Sequence, residues 1–129
     1  MKKNAAALLL LLVAACAQST SPPQAPAALL SQVNVTDGVS RTEAEKIAEA
    51  YFATHIGCGA YSGVTEAGDV WVVEGKHGFA GDPIQNFTIS KRSGTIKSSI
   101  GPSYEHPEDM LRHAQRGASA DRHGSRSVA

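Results

Sequence analysis

The chain has 129 residues, 12 basic and 12 acidic, with a formal charge of zero and 42% hydrophobic content. Interspersed charges of both signs leave neither a basic face nor a polyelectrolyte tail, so nucleic acid is not an expected partner. Two cysteines cannot build the disulfide framework that staples many small exported folds.

Lys2 and Lys3 precede an apolar run from Ala5 to Ala15. A short cationic start followed by 7–15 apolar residues is the pattern of a secretory signal peptide. As a helix the run would be roughly 17 Å long. A bilayer core needs about 20 apolar residues, so a permanent spanning helix is not expected. Val13-Ala14-Ala15-Cys16 resembles the lipobox of bacterial lipoproteins. The resemblance implies cleavage between Ala15 and Cys16, with the Cys16 thiol carrying diacylglycerol. It also implies acylation of the new amino group, and several acyl chains make a durable anchor. Ala17 is not the aspartate that retains many lipoproteins at the inner membrane. The resemblance therefore favours the outer membrane, with the domain facing the periplasm. Lys2 and Lys3 leave with the signal, so the processed chain carries two more acidic than basic residues. Cys58 is then left without an intramolecular partner.

Gln18 to Ala28, QSTSPPQAPAA, has the composition of a tether. Val33 and Val35 alternate with polar residues, as in a short edge strand. Ser40-Arg41-Thr42-Glu43 fits a capping box. Ala44, Ile47, Ala48, Tyr51 and Phe52 then fall on one helical face, with Glu45, Lys46 and Glu49 opposite. This predicts an amphipathic helix over about 41–56, stopped by Gly57 and Gly59. Ala60 to Val64 reads as a weak strand, and Glu66 to Asp69 as a turn. Val70 to Glu74 reads as a central strand, β-branched and aromatic on both faces. Gly75 to Pro83 reads as a glycine-rich loop. Ile84–Ser90 and Thr95–Ile100, joined by Lys91-Arg92-Ser93-Gly94, read as a hairpin. Pro107 to Arg116 predicts a short helix with acidic residues at its start and Arg112 and Arg116 near its end. The last residues are small and polar, as in a disordered tail.

The expected layout is a signal peptide at 1–15, a lipidated cysteine and Pro-rich tether at 16–39, a domain at 40–101, and a polar tail at 102–129. The expected fold class is α+β: one N-terminal amphipathic helix on an antiparallel sheet of three to four strands. Tyr51, Phe52, Trp71 and Phe87 are expected to supply most of the core.

Chemistry is sparse. His55 and Cys58 could pair as base and nucleophile. The end of a helix is its negative pole, however, and does not favour a thiolate. A structural thiol is the expectation. His106, His113 and His123, with Glu105 or Asp109, are candidate metal ligands, but His106 and His113 stand two helical turns apart. Lys76 and His77 lie in a loop without phosphate-loop spacing. Glu74 and Asp82 could form a carboxylate pair, and unrelated surface acids are the simpler reading. Trp71 reads as core. No G-x-S-x-G or H-E-x-x-H motif occurs. No catalytic residue, metal ligand or cofactor is therefore assigned.

TEAEKIAEAYF, then GDVWVVEG, then FTISKRSGTIKSSIG resembles the small NTF2-fold immunity proteins of bacteria. The matching positions are Ala44 and Ala48, the Trp71–Gly75 strand and the Ile89–Ile96 hairpin. A double glycine is usual after that strand, whereas Gly78 and Gly81 stand apart here. PepSY-type domains, a helix followed by strands, are a competing resemblance. The first implies neutralisation of a toxin by binding, the second binding or inhibition of a peptidase. Both imply a non-enzymatic protein-binding module; an envelope hydrolase or metal-binding protein is the alternative of another class. If the lipobox reading holds, Cys16→Ser abolishes palmitate labelling and releases the exported protein as soluble. Continued labelling of that variant contradicts it.

Overall fold

The computed structural model describes residues 24–124, with side chains as far as Gly117. Ala15, Cys16, the whole signal-peptide segment and the first part of the tether lie outside the described residues, as do the final five residues. The elements in chain order are α1 (Pro26–Leu30), a 3₁₀ turn (Val35–Asp37), α2 (Arg41–His55), β1 (Gly59–Ala67), β2 (Val70–His77), β3 (Asp82–Pro83), β4 (Thr88–Ser90), β5 (Ile96–Lys97) and α3 (Asp109–Gly124). The fold is α+β, with helices against a five-stranded antiparallel sheet.

The capping box forms in α2. The Ser40 hydroxyl oxygen accepts from the Glu43 amide, and the Glu43 carboxylate accepts from the Ser40 amide at 2.9 Å. The same carboxylate accepts from the Asn34 amide at 2.9 Å, tying the preceding turn to the helix start. The amide of Asn34, then the Ser40 hydroxyl and amide, hold the Glu43 carboxyl below its usual value. The predicted apolar face, Ala44 through Phe52, is buried. Each large side chain so buried contributes about 1.5–3 kcal/mol.

The strands run in order β1-β2-β4-β5, a meander, with β3 pairing to the far end of β2. The expected central strand is central, since β2 pairs with β1, β3 and β4. Its alternation shows in the structure: Trp71 and Val73 are buried, while Val70 and Val72 are half-buried. Helix α2 packs on β1 and β2. Phe87 and Ile89 point to the same core, and Ile89 pairs with Ile96 across the predicted hairpin. Gly94 turns that hairpin at φ +71°, where a side chain would be strained and would meet Val35 and Pro107.

Several expectations need correction. The packed unit begins before residue 40: Pro26 starts α1, where its missing N–H costs nothing, and Leu29, Leu30 and Val39 are buried. Val33 and Val35 form no strand, because Asn34 Oδ1 accepts from the Thr36 amide and closes a turn. The polar tail from residue 102 is partly core. Tyr104 exchanges two backbone hydrogen bonds with Ile96, at 2.8 and 2.9 Å, and Met110 is fully buried. With Met110 as its anchor, α3 runs on to Gly124, beyond the predicted end at Arg116. The two-residue β3 brings the strand count to five.

Two consequences follow for stability. Ser40→Ala is expected to cost about 1 kcal/mol in urea unfolding. Because Glu43 is held below its usual value in the folded protein, its contribution is fully present above the usual value and lost as pH falls through the lowered, folded-state value. Wild type and Glu43→Gln should therefore differ at neutral pH and converge in acid. A constant difference across pH would refute this role.

Candidate functional site

Three surface features carry the polar and apolar groups that the fold leaves in reach of solvent. The first is the tip of the β2–β3 hairpin. His77 pairs with Asp82 and Lys76 with Pro83, leaving Gly78 to Gly81 as the connection. Gly78 and Gly81 take φ of +71° and +69°, which glycine adopts without strain. The Gly81 amide donates to the Gly78 carbonyl at 3.2 Å, and the Gly78 amide donates to the Cys58 carbonyl at 2.8 Å. This tied turn holds Phe79 outward at full exposure, the one large hydrophobic so exposed among the described residues. A side chain of that size in open solvent forgoes the burial that phenylalanine normally finds.

The second feature is a shallow apolar groove where α1 meets the start of α3. Leu30, Val33, Val35 and Pro107 line a hollow of about 190 Å³, with His106 and Glu108 at its rim. A neighbouring hollow of about 320 Å³ shares Leu30 and Glu108 and adds Leu111. A larger, open depression of about 710 Å³ lies elsewhere, bounded by Asp37, Asp69, Lys91 and Arg92. Its charges offset one another. Lys91 is also engaged by Glu66 and lies over the Trp71 ring, 4.9 Å from its centre.

The third feature is a cluster of rings at the end of α2. Tyr51 is fully buried, donates its hydroxyl to the Pro102 carbonyl at 2.9 Å, and packs on Phe87 with ring centres 4.6 Å apart. His55, one helical turn on, sits 4.9 Å from the Tyr51 ring. Its Nε2 lies 2.8 Å from the Tyr104 hydroxyl. His113 of α3 closes the group, with its ring centre 6.0 Å from His55 and 6.1 Å from Tyr104. Burial, and then the neighbouring His113 charge, hold His55 below the usual imidazole value. Burial pushes Tyr104 and Tyr51 up.

The sequence-derived candidates separate in space. His55 bonds Tyr104, and Cys58 is a free, exposed cysteine. His113 joins His55 rather than His106, and the His123 side chain lies outside the described residues. Glu74 accepts from the Thr65 hydroxyl at 2.6 Å on the sheet surface, and Asp82 sits in β3 at the base of the tip. Trp71 is core, and its indole N–H donates to the Val39 carbonyl at 2.8 Å. Among the described residues no three or more of His, Cys, Asp and Glu gather to hold a metal ion, and no helix is long and apolar enough to cross a membrane.

No protein-family model, curated protein or solved structure gives a significant match.

Sequence reasoning missed Phe79 and the ring cluster. The isolated phenylalanine between glycines was a usable signal for the first. The second joins residues distant in sequence and left no local trace. The cluster depends on a small residue at 101, where an added Cβ would stand 2.4 Å from the Tyr51 hydroxyl. Gly101→Ala is expected to destabilise the protein by about 1–3 kcal/mol, read as a lower denaturation midpoint. An unchanged midpoint would show that the Tyr51 contact is slack.

Proposed function

We propose that the chain is a lipoprotein of the bacterial cell envelope, anchored through Cys16, whose domain binds another protein. The lipobox resemblance supports the anchor and favours the outer membrane. The observation that carries the binding reading is Phe79, held fully exposed on a turn tied at both ends. Aromatic side chains pre-ordered on a rigid turn lose little entropy on docking and often dominate binding energy. Lys76 and His77 precede it and Asp82 follows, so the apolar tip has a polar border of both signs.

The partner class we favour is a toxin acting on the envelope, as the resemblance to NTF2-fold immunity proteins implies. The module would neutralise it by occupancy, without catalysis. A second reading, binding or inhibition of an exported peptidase, draws support from the element order. One long helix, α2, precedes a meander of strands, as the PepSY-type resemblance implies.

The test is capture from an envelope extract containing the co-encoded or neighbouring toxins, followed by identification of the bound protein. Phe79 makes no core contact, so Phe79→Ala should leave stability within about 0.5 kcal/mol and weaken capture at least tenfold, about 1.4 kcal/mol. Recovery of a toxin supports immunity; recovery of a peptidase supports the second reading. Equal capture by wild type and Phe79→Ala would remove Phe79 from the interface. Turnover of an envelope substrate with no partner recovered would sink the binding reading altogether.

A further inference from the structure

We infer that His55, Tyr104 and His113 form a binding site for one divalent transition-metal ion of the zinc, nickel or copper class. The inference is independent of the partner-binding reading.

Two donor atoms are already adjacent. His55 Nε2 and the Tyr104 hydroxyl are 2.8 Å apart. Ligand atoms bound about 2.0–2.1 Å from a tetrahedral ion stand roughly 3.3 Å from each other. Opening the hydrogen bond by about half an ångström would admit the ion. The three ring centres are separated by 5.5, 6.0 and 6.1 Å, a nearly equilateral triangle. Two imidazoles on one tetrahedral ion have centres roughly 5 Å apart. The His113 side chain is exposed and can turn inward to close the difference.

Each donor sits on a separately anchored element. His55 is the last residue of α2 and packs on buried Tyr51. Tyr104 is fixed by its two backbone hydrogen bonds to Ile96. His113 follows Met110, which is fully buried and docks α3. Such support lowers the cost of assembling ligands, which is what loose sites lack. The set contains two imidazoles, one phenol and no carboxylate. That chemistry suits zinc, nickel or copper and disfavours magnesium and calcium, which take oxygen ligands. His, Cys, Asp and Glu alone gather no trio among the described residues, and the third donor we assign is the Tyr104 phenol, beside His55 Nε2. On binding, the Tyr104 O–H bond breaks, a metal–oxygen bond forms and the proton passes to solvent, so affinity should rise with pH. The exposed His113 side leaves a fourth position to water.

The untagged full chain, stripped with a chelator, is titrated with Zn²⁺ by calorimetry and with Cu²⁺ by visible absorption. The expected result is saturation at one equivalent, a higher thermal midpoint, and a phenolate-to-copper charge-transfer band. His113→Ala, an exposed position, should fold as wild type and lose about tenfold or more in affinity. Tyr104→Phe should lose the band. His106→Ala, outside the triangle, should bind as wild type. Failure to saturate at one equivalent, full affinity in His113→Ala, or equal loss in His106→Ala would each overturn the site.

Discussion

A hydroxyl buried with its ring and left unpaired costs about 1–3 kcal/mol. Tyr51 avoids that cost by donating to the carbonyl of Pro102, in the segment after β5. The path is open only because residue 101 has no side chain. The bond draws the segment after β5 back beneath α2, and Tyr104 then closes on Ile96 as an added bridge. From there the chain turns through buried Pro107 into α3, whose Met110 completes the core. One hydroxyl thus links the first long helix, the hairpin and the last helix.

Much of the fold was legible because its signals are local. The capping box and the i, i+3, i+4 spacing mark α2, and alternation marks β2 and the Ile89–Ile96 hairpin. The rest was hidden by scale. Leu29 and Leu30 are a two-residue apolar patch in a proline-rich stretch, too short for any period to show, yet they bury against the helix. The tail looked polar because a few scattered side chains, Tyr104, Met110 and the half-buried Leu111 among them, do its packing. The site was less legible than the fold. His55 and His113 were both noted, but only the path of the chain through Tyr104 sets their rings side by side.

The outer strand β1 illustrates how a small sheet keeps an open edge. Among the described residues it pairs only with β2, and a strand of this length with one side open invites pairing by other chains. The register slips by one residue between Tyr61 and Gly63, which breaks the straight run of backbone groups. Arg41 Nη2 donates to the Val64 carbonyl at 2.9 Å and takes an acceptor that another strand would use. The edge is interrupted twice along its length.

The early start of α1 sets a distance. Cys16 is ten peptide steps from Pro26, and a fully extended chain covers at most about 35 Å over that interval. Anchored at Cys16, the domain would work within roughly its own diameter of the headgroups. Its encounters would then be a search across a surface, reaching partners that embed in, cross or graze the same leaflet sooner than those in the open compartment.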